Sequence, residues 1–232
     1  MLGNNQEPRL CCVSVDVDGI EHYLAIHGLS ARSGTVASLA HTLGVQRLCA
    51  LSDELDIPLT WFVIARDTEN EEYVRLLKST LDHGHEIANH TLDHRYDLVR
   101  LPHDQQVFQV QKAQELLECC FGVRPVGFRA PGYTVTDALL EVLRINHFVY
   151  DSSVFPCPAY YGAKALVLLL QRLQSRRSSS ILDTPRILTA PTAPYRCGTP
   201  YTQQGAGIIE LPIQVTPWLR MPFIGTTLTL GG

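Results

Sequence analysis

Along this chain, short runs of apolar and β-branched residues alternate with longer stretches in which apolar positions recur every three or four residues. The first run, Leu10 to Val17, closes on Asp18-Gly19 and is expected to be a buried strand with acidic residues at its carboxyl end. From Thr35 to Leu55, Val36, Leu39, Leu43, Leu48, Leu51 and Leu55 keep a helical spacing, and Pro58 then opens a second strand, Leu59 to Ile64. The alternation continues with a helix near Glu71 to Asp82, a strand at His85 to Ala88, a helix from about Asp104 to Cys120 and a strand at Val126 to Arg129. Thr136 caps a helix over Asp137 to Asn146, followed by a strand at His147 to Asp151, a helix near Lys164 to Ser175, and strands at Ile187 to Thr189 and Ile208 to Val215. Such alternation builds an α/β fold, a parallel sheet with helices outside it, either open or closed into a barrel. There is no fixed-period repeat and no dividing linker, so residues 1–232 are expected to form one domain. Ser175 to Ser180 reads as a surface loop, and Pro191 to Gly207 as a long, turn-rich connection suited to the rim of a site.

Composition narrows the partners. With 45% hydrophobic and 18% charged residues, the chain can bury a sizeable core and is not a disordered polymer. A net charge of −4 gives no reason to invoke nucleic acid or an anionic membrane surface, which leaves a small or carbohydrate-like molecule. No run approaches the ~18 apolar residues of a membrane span, and Met1 to Arg9 lacks the basic-then-apolar pattern of a secretory signal. Seven cysteines, including the vicinal pairs Cys11-Cys12 and Cys119-Cys120, show no disulfide-framework spacing and read as reduced thiols, so a cytoplasmic location is expected.

The chemistry is suggested by where the polar residues fall. Asp16, Asp18, His90, His94, Arg129 and Asp151 all lie at or just beyond the expected carboxyl ends of successive strands, the usual edge for catalysis in barrels and doubly wound sheets. His90 and His94 are four residues apart, which on a helical turn places both imidazoles on one face; a carboxylate from another strand would complete a three-ligand divalent metal site. Asp16 and Asp18, two apart on a strand, point to the same side, and two such charges need a cation or an arginine to compensate them. Each feature has a plainer reading: an acidic residue after a strand often caps a turn, and His83 and His85, flanking Gly84, look structural. Together they point to metal-assisted hydrolysis.

The segments Ser14-Val15-Asp16-Val17-Asp18, His90-Thr91-Leu92-Asp93-His94, Arg129-Ala130-Pro131-Gly132-Tyr133 and Tyr150-Asp151-Ser152-Ser153 occur in the order seen in polysaccharide deacetylases, and from about residue 9 to about residue 216 the chain resembles that family. This is carbohydrate esterase family 4, the nodulation-protein-B homology domain. The resemblance implies a distorted (β/α) barrel of about seven strands, a divalent metal, most often zinc, and hydrolysis of an N-acyl group from an amino sugar. The Asp-Val-Asp-Gly spacing departs from the commoner adjacent aspartates. It looks more like the branch containing lipid-linked aminoarabinose deformylases and cytoplasmic peptidoglycan-deacetylase-like proteins.

By resemblance Asp18, His90 and His94 are the metal ligands and Asp16 is the general base, held by Arg129 through a charge-assisted hydrogen bond. The backbone N–H of Gly132, or less readily of Tyr133, is the expected oxyanion contact, since Pro131 cannot donate. Tyr133 could equally stack on a sugar ring or cover the barrel mouth. In the family a late L-x-x-H histidine protonates the leaving amine and the fourth-motif aspartate, here Asp151, tunes it; in this chain the last histidine is His147. Three readings follow: the barrel is incomplete at the C-terminus because the chain is truncated, the proton comes from water at the metal, or the protein is a weak or inactive enzyme. Truncation is preferred, because the chain runs through Thr226 to Gly232 without a final helix; Asp151 would then lack its partner.

Overall fold

Strand β1, Val13–Asp16, lies in parallel beside β2, Leu59–Val63, with Asp16 in register with Phe62. In the computed structural model, which describes residues 11–26, 39–174, 178 and 180–225, five further strands extend this pair into one sheet. They are β3 Glu86–Asn89, β4 Gly127–Phe128, β5 Tyr150–Asp151, β6 Tyr195–Cys197 and β7 Gln204–Glu210, in the order β1-β2-β3-β4-β5-β7-β6. All neighbours are parallel except β6 and β7. Among the described residues β1 and β6 end the sheet without pairing to each other, so the α/β fold is a distorted, unclosed barrel.

The helices start and stop where their sequence says. Helix α1 is Ile20–Ile26, and α2, Val45–Leu55, continues a π-helical turn over Ala40–Gly44. In α3, Glu71–Thr80, the Asn70 side chain accepts from the N–H groups of Glu72 and Tyr73. Helix α4, His103–Phe121, closes on Gly122 at φ 75°, a left-handed position that glycine occupies without strain. Helix α5, Asp137–Ile145, is capped by Thr136 as expected. Helix α6, Pro158–Leu173, opens with proline in its first turn and so begins well before Lys164. Helix α4 sends Val110 into one core cluster, with Phe128, Leu139, Leu143 and Phe148, and Ala113 and Leu117 into another, with Trp61, Tyr73 and Leu77. Each such large apolar side chain contributes about 1.5–3 kcal/mol by burial, which anchors β1 to β5 and the strand ends they carry.

Three expectations are corrected. Ile187 to Thr189 is not a strand: Pro185 opens a 3-10 turn over Pro185–Thr189. The connection Pro191 to Gly207 contains β6, whose Tyr195 pairs with Glu210. Strand β7 ends at Glu210 rather than Val215, because Pro212 has no N–H to give the ladder and the Ile213 N–H turns to Val154 O at 2.9 Å. Leu10, Val36 and Thr226 to Gly232, together with parts of the expected Thr35 to Leu55 helix and Ser175 to Ser180 loop, lie outside the described residues. No described helix is long and apolar enough to cross a membrane.

Candidate metal centre and active site

Because β1, β2, β3, β4 and β5 are parallel neighbours, the residues that follow their carboxyl ends are carried to one edge of the sheet. There the Asp18 carboxylate faces both imidazoles, with Oδ1 3.5 Å from His90 Nε2 and Oδ2 3.4 Å from His94 Nε2. These separations are too long for good hydrogen bonds, yet they suit three donors surrounding one ion at metal–ligand distances of about 2.0–2.2 Å. Asp18 Oδ1 and both His94 nitrogens are buried without a hydrogen-bond partner, an arrangement that costs free energy unless something else satisfies them. His90 Nδ1 lies 2.7 Å from Arg129 O, which fixes the proton on Nδ1 and turns the Nε2 lone pair toward Asp18. Burial pushes the His90 pKa down, toward the neutral form a ligand requires. Burial works against ionisation of Asp18, but the His94 and His90 imidazoles facing it outweigh that and hold the carboxyl below its ordinary range. The residues present fit a divalent ion.

The two histidines do not meet on a helical turn. His90 follows β3 directly, and the segment to His94 is an irregular loop with Thr91 at φ 71° and His94 at φ 52°. Asn89 and Thr91 build that loop. Asn89 Oδ1 accepts from Thr91 N–H at 2.8 Å while its Nδ2 donates to Val110 O, and Thr91 Oγ1 accepts from His94 N–H at 3.0 Å. The result brings the imidazole centroids to 4.8 Å. His85, by contrast, is structural: Trp61 Nε1–H donates to its Nδ1, and Ser52 Oγ contacts its Nε2. His83 is exposed near Asp53.

Asp16 turns away from the imidazoles to Arg129. The guanidinium donates from Nη1 to Asp16 Oδ1 at 2.5 Å, from Nη2 to Ser14 Oγ and Ser152 Oγ, and from Nε to Ser152 O. Its Cζ sits 3.9 Å from the Phe62 ring centroid, and only 5% of the residue is exposed, so the guanidinium is buried with four of its five N–H donors engaged. Tyr133 Oη donates to Asp16 Oδ2 at 3.3 Å, and its ring meets Phe155 and Tyr160 edge-on, which makes it a wall of the site. Gly132 adopts φ 64°, and a Cβ there would crowd Tyr96. Its carbonyl takes a hydrogen bond from Lys164 Nζ, whose pKa burial pushes down to about 8. The Tyr133 N–H is already given to Ala130 O.

Asp151 has a partner after all, one that reading along the chain misses. The β5–β7 register sets it beside Glu210, and both are fully buried. Asp151 accepts from Ser153 Oγ and N–H, and Glu210 Oε1 accepts from Val154 N–H at 3.0 Å. Burial raises both pKa values, Glu210's the more strongly because the Asp151 carboxyl adds its charge. The protonated form is thus favoured at both carboxyls, and more strongly at Glu210. Beside the Asp18–His90–His94 cluster lies a cavity of about 460 Å³, lined by Asp18, Gly19, Ile20, Ile26, Leu39, Ala40 and Tyr96.

Residues 40–150, which include His90, His94 and Arg129, match the family described as polysaccharide deacetylase. A peptidoglycan deacetylase-like protein of Gibberella zeae is 33% identical over 147 residues, covering 61% of this chain and 43% of that protein. A crystal structure from Mycobacterium smegmatis, provisionally assigned as a polysaccharide deacetylase, superposes with a TM-score of 0.59 at 26% identity over 89% of this chain and 58% of that one. The chain thus spans less than two thirds of either relative. The sheet, the strand-end residues and these likenesses agree, and over residues 40–150 the chain is similar to the polysaccharide deacetylase family.

Proposed function

We propose that this chain is a catalytic domain that hydrolyses an N-acyl group, acetyl or formyl, from an amino sugar or an amino-sugar conjugate, with one divalent metal ion, zinc by preference. The observation that carries the reading is the meeting of Asp18, His90 and His94 at one strand edge, with Asp16 held beside them by Arg129. A divalent ion held by Asp18, His90 and His94 would polarise the acyl carbonyl and make water more acidic. Asp16 takes the proton of the attacking water. Arg129, fixed by Ser14, Ser152 and Phe62, keeps the Asp16 carboxylate oriented, and the Tyr133 hydroxyl constrains its second oxygen. The Gly132 N–H donates to the developing oxyanion, because the Tyr133 N–H is already given to Ala130 O. Tyr133 also bounds the sugar. Asp151 lies close enough to Arg129 to favour its charged form and so supports the guanidinium that holds Asp16. A cytoplasmic setting is supported by seven free cysteines.

A second reading, a weak or inactive sugar-binding barrel, is favoured by Asp151 facing Glu210 rather than a histidine. Release of acetate or formate from a panel of N-acyl amino sugars, by protein stripped of metal and then resupplied with zinc, tests between them. Metal-dependent release supports hydrolysis. Binding of the sugars without release under any metal overturns it in favour of the second reading.

A further inference from the structure

A second group of donors lies against the first. Glu21 and His22, in α1, and Asp67, in the 3-10 turn after β2, bring one ligand atom each to within 4.8 Å of one another. The His22 ring sits 4.4 Å, centroid to centroid, from the His94 ring, so the two groups share a wall.

Four features set this group apart from an ordinary polar cluster. Glu21 Oε2 is buried with no hydrogen-bond partner, as Asp18 Oδ1 is in the neighbouring centre. Gly19 leaves the space that the Glu21 carboxylate occupies, since a Cβ there would collide with it. The Tyr73 hydroxyl is fully buried and also without a partner, and its ring packs 4.6 Å from that of His41; the charges of Asp67 and Asp18, added to burial, hold its phenol protonated. Finally, His41 Nε2 is 3.1 Å from Asp67 Oδ2. A protonated His41 offsets at most one of the two carboxylate charges, and a neutral one orients Asp67 as an outer ligand partner does.

We propose that Glu21, His22 and Asp67 form a second divalent-cation site beside Asp18, His90 and His94. Two carboxylate oxygens and one imidazole nitrogen are a donor set for zinc, manganese or cobalt rather than for a soft monovalent ion. Gly19, against which the Glu21 carboxylate packs, lines the cavity next to Asp18, so a cation held by Glu21 would add positive charge close behind that pocket.

Metal stoichiometry tests the proposal without recourse to activity. The whole chain, stripped by chelation, is titrated with zinc and with manganese in a calorimeter, and the retained metal is counted by mass spectrometry. Wild type is expected to take two equivalents, Asp67→Asn and Glu21→Gln one each, Asp18→Asn one, and Asp18→Asn/Asp67→Asn none. Anomalous scattering from a zinc-soaked wild-type crystal should give two peaks, one on each triad. Saturation of wild type at one equivalent that both Asp67→Asn and Glu21→Gln retain, or two equivalents persisting in both variants, overturns it. Should Asp67→Asn fail to fold, Glu21→Gln and the wild-type crystal decide. Loss of the first centre alone would show as one equivalent surviving in wild type and disappearing in Glu21→Gln.

Discussion

Replacing Glu210 by glutamine should change the pH dependence of stability in a predictable direction. Both carboxyls of the Asp151–Glu210 pair are fully buried, and burial with the Asp151 charge raises Glu210 well above its ordinary 4.5. In the unfolded chain Glu210 loses its proton near pH 4.5; in the folded protein it keeps it to a much higher pH. Between those values the native state binds one proton more, so stability is complete below 4.5 and falls as pH rises, by about 1.4 kcal/mol per unit for one proton. Glutamine keeps the acceptor for Val154 N–H and supplies a permanent N–H donor toward Asp151, but it does not titrate. The stability of Glu210→Gln relative to wild type should therefore grow by up to about 2.7 kcal/mol between pH 5 and 7. At about 2–4 °C per kcal/mol for a chain of this size, that is roughly 5–10 °C in Tm. Urea unfolding at pH 5, 6 and 7, with the slope m checked for constancy, measures it. Parallel curves for the two proteins across that range would refute the raised Glu210 pKa, since the substitution removes that titration and the others outside the pair are common to both.

The remaining predictions concern the site. Asp16→Asn should retain metal and lose at least about 100-fold in rate, whereas His90→Ala should lose both metal and activity; equal metal loss in the two variants, measured by mass spectrometry, would make Asp16 a ligand. Arg129→Ala leaves the half-buried Asp16 charge without its partner and should cost about 3 kcal/mol in urea unfolding, and a loss below 1 kcal/mol would contradict the ion pair's part in stability. Asn89→Ala removes the acceptor of Thr91 N–H and should weaken metal binding by about 10–100-fold while far-UV circular dichroism stays native; unchanged affinity would mean that the loop holds its shape without it. Chelation of the loaded protein should lower Tm by several degrees, because an ion present at 100 times its Kd adds about 2.7 kcal/mol.

What could be read along the chain, and what could not, follows from how each residue reaches the site. The parallel alternation, the helix cap at Thr136 and the strand-end placement of Asp16, Asp18, His90 and Arg129 are local features, and local spacing carries them. The His90–His94 pair was found for a reason the fold does not use. A four-residue interval brings rings together on a helix, but here a loop with two left-handed residues, tied by Asn89 and Thr91, does the same, and composition offers no sign of left-handed Thr or His. Ile187 to Thr189 looked like a strand because apolar and β-branched residues favour one, and Pro185 decided otherwise. Glu210, Glu21, His22 and Asp67 were invisible for a different reason: each becomes chemical only across elements distant in sequence, Glu210 through the β5–β7 register and Asp67 through the turn that follows β2. Glu210 did leave a trace. It sits in Ile208-Ile209-Glu210-Leu211, an apolar run in which a carboxylate is buried only with a proton or a partner, and the partner is the aspartate that seemed to have none.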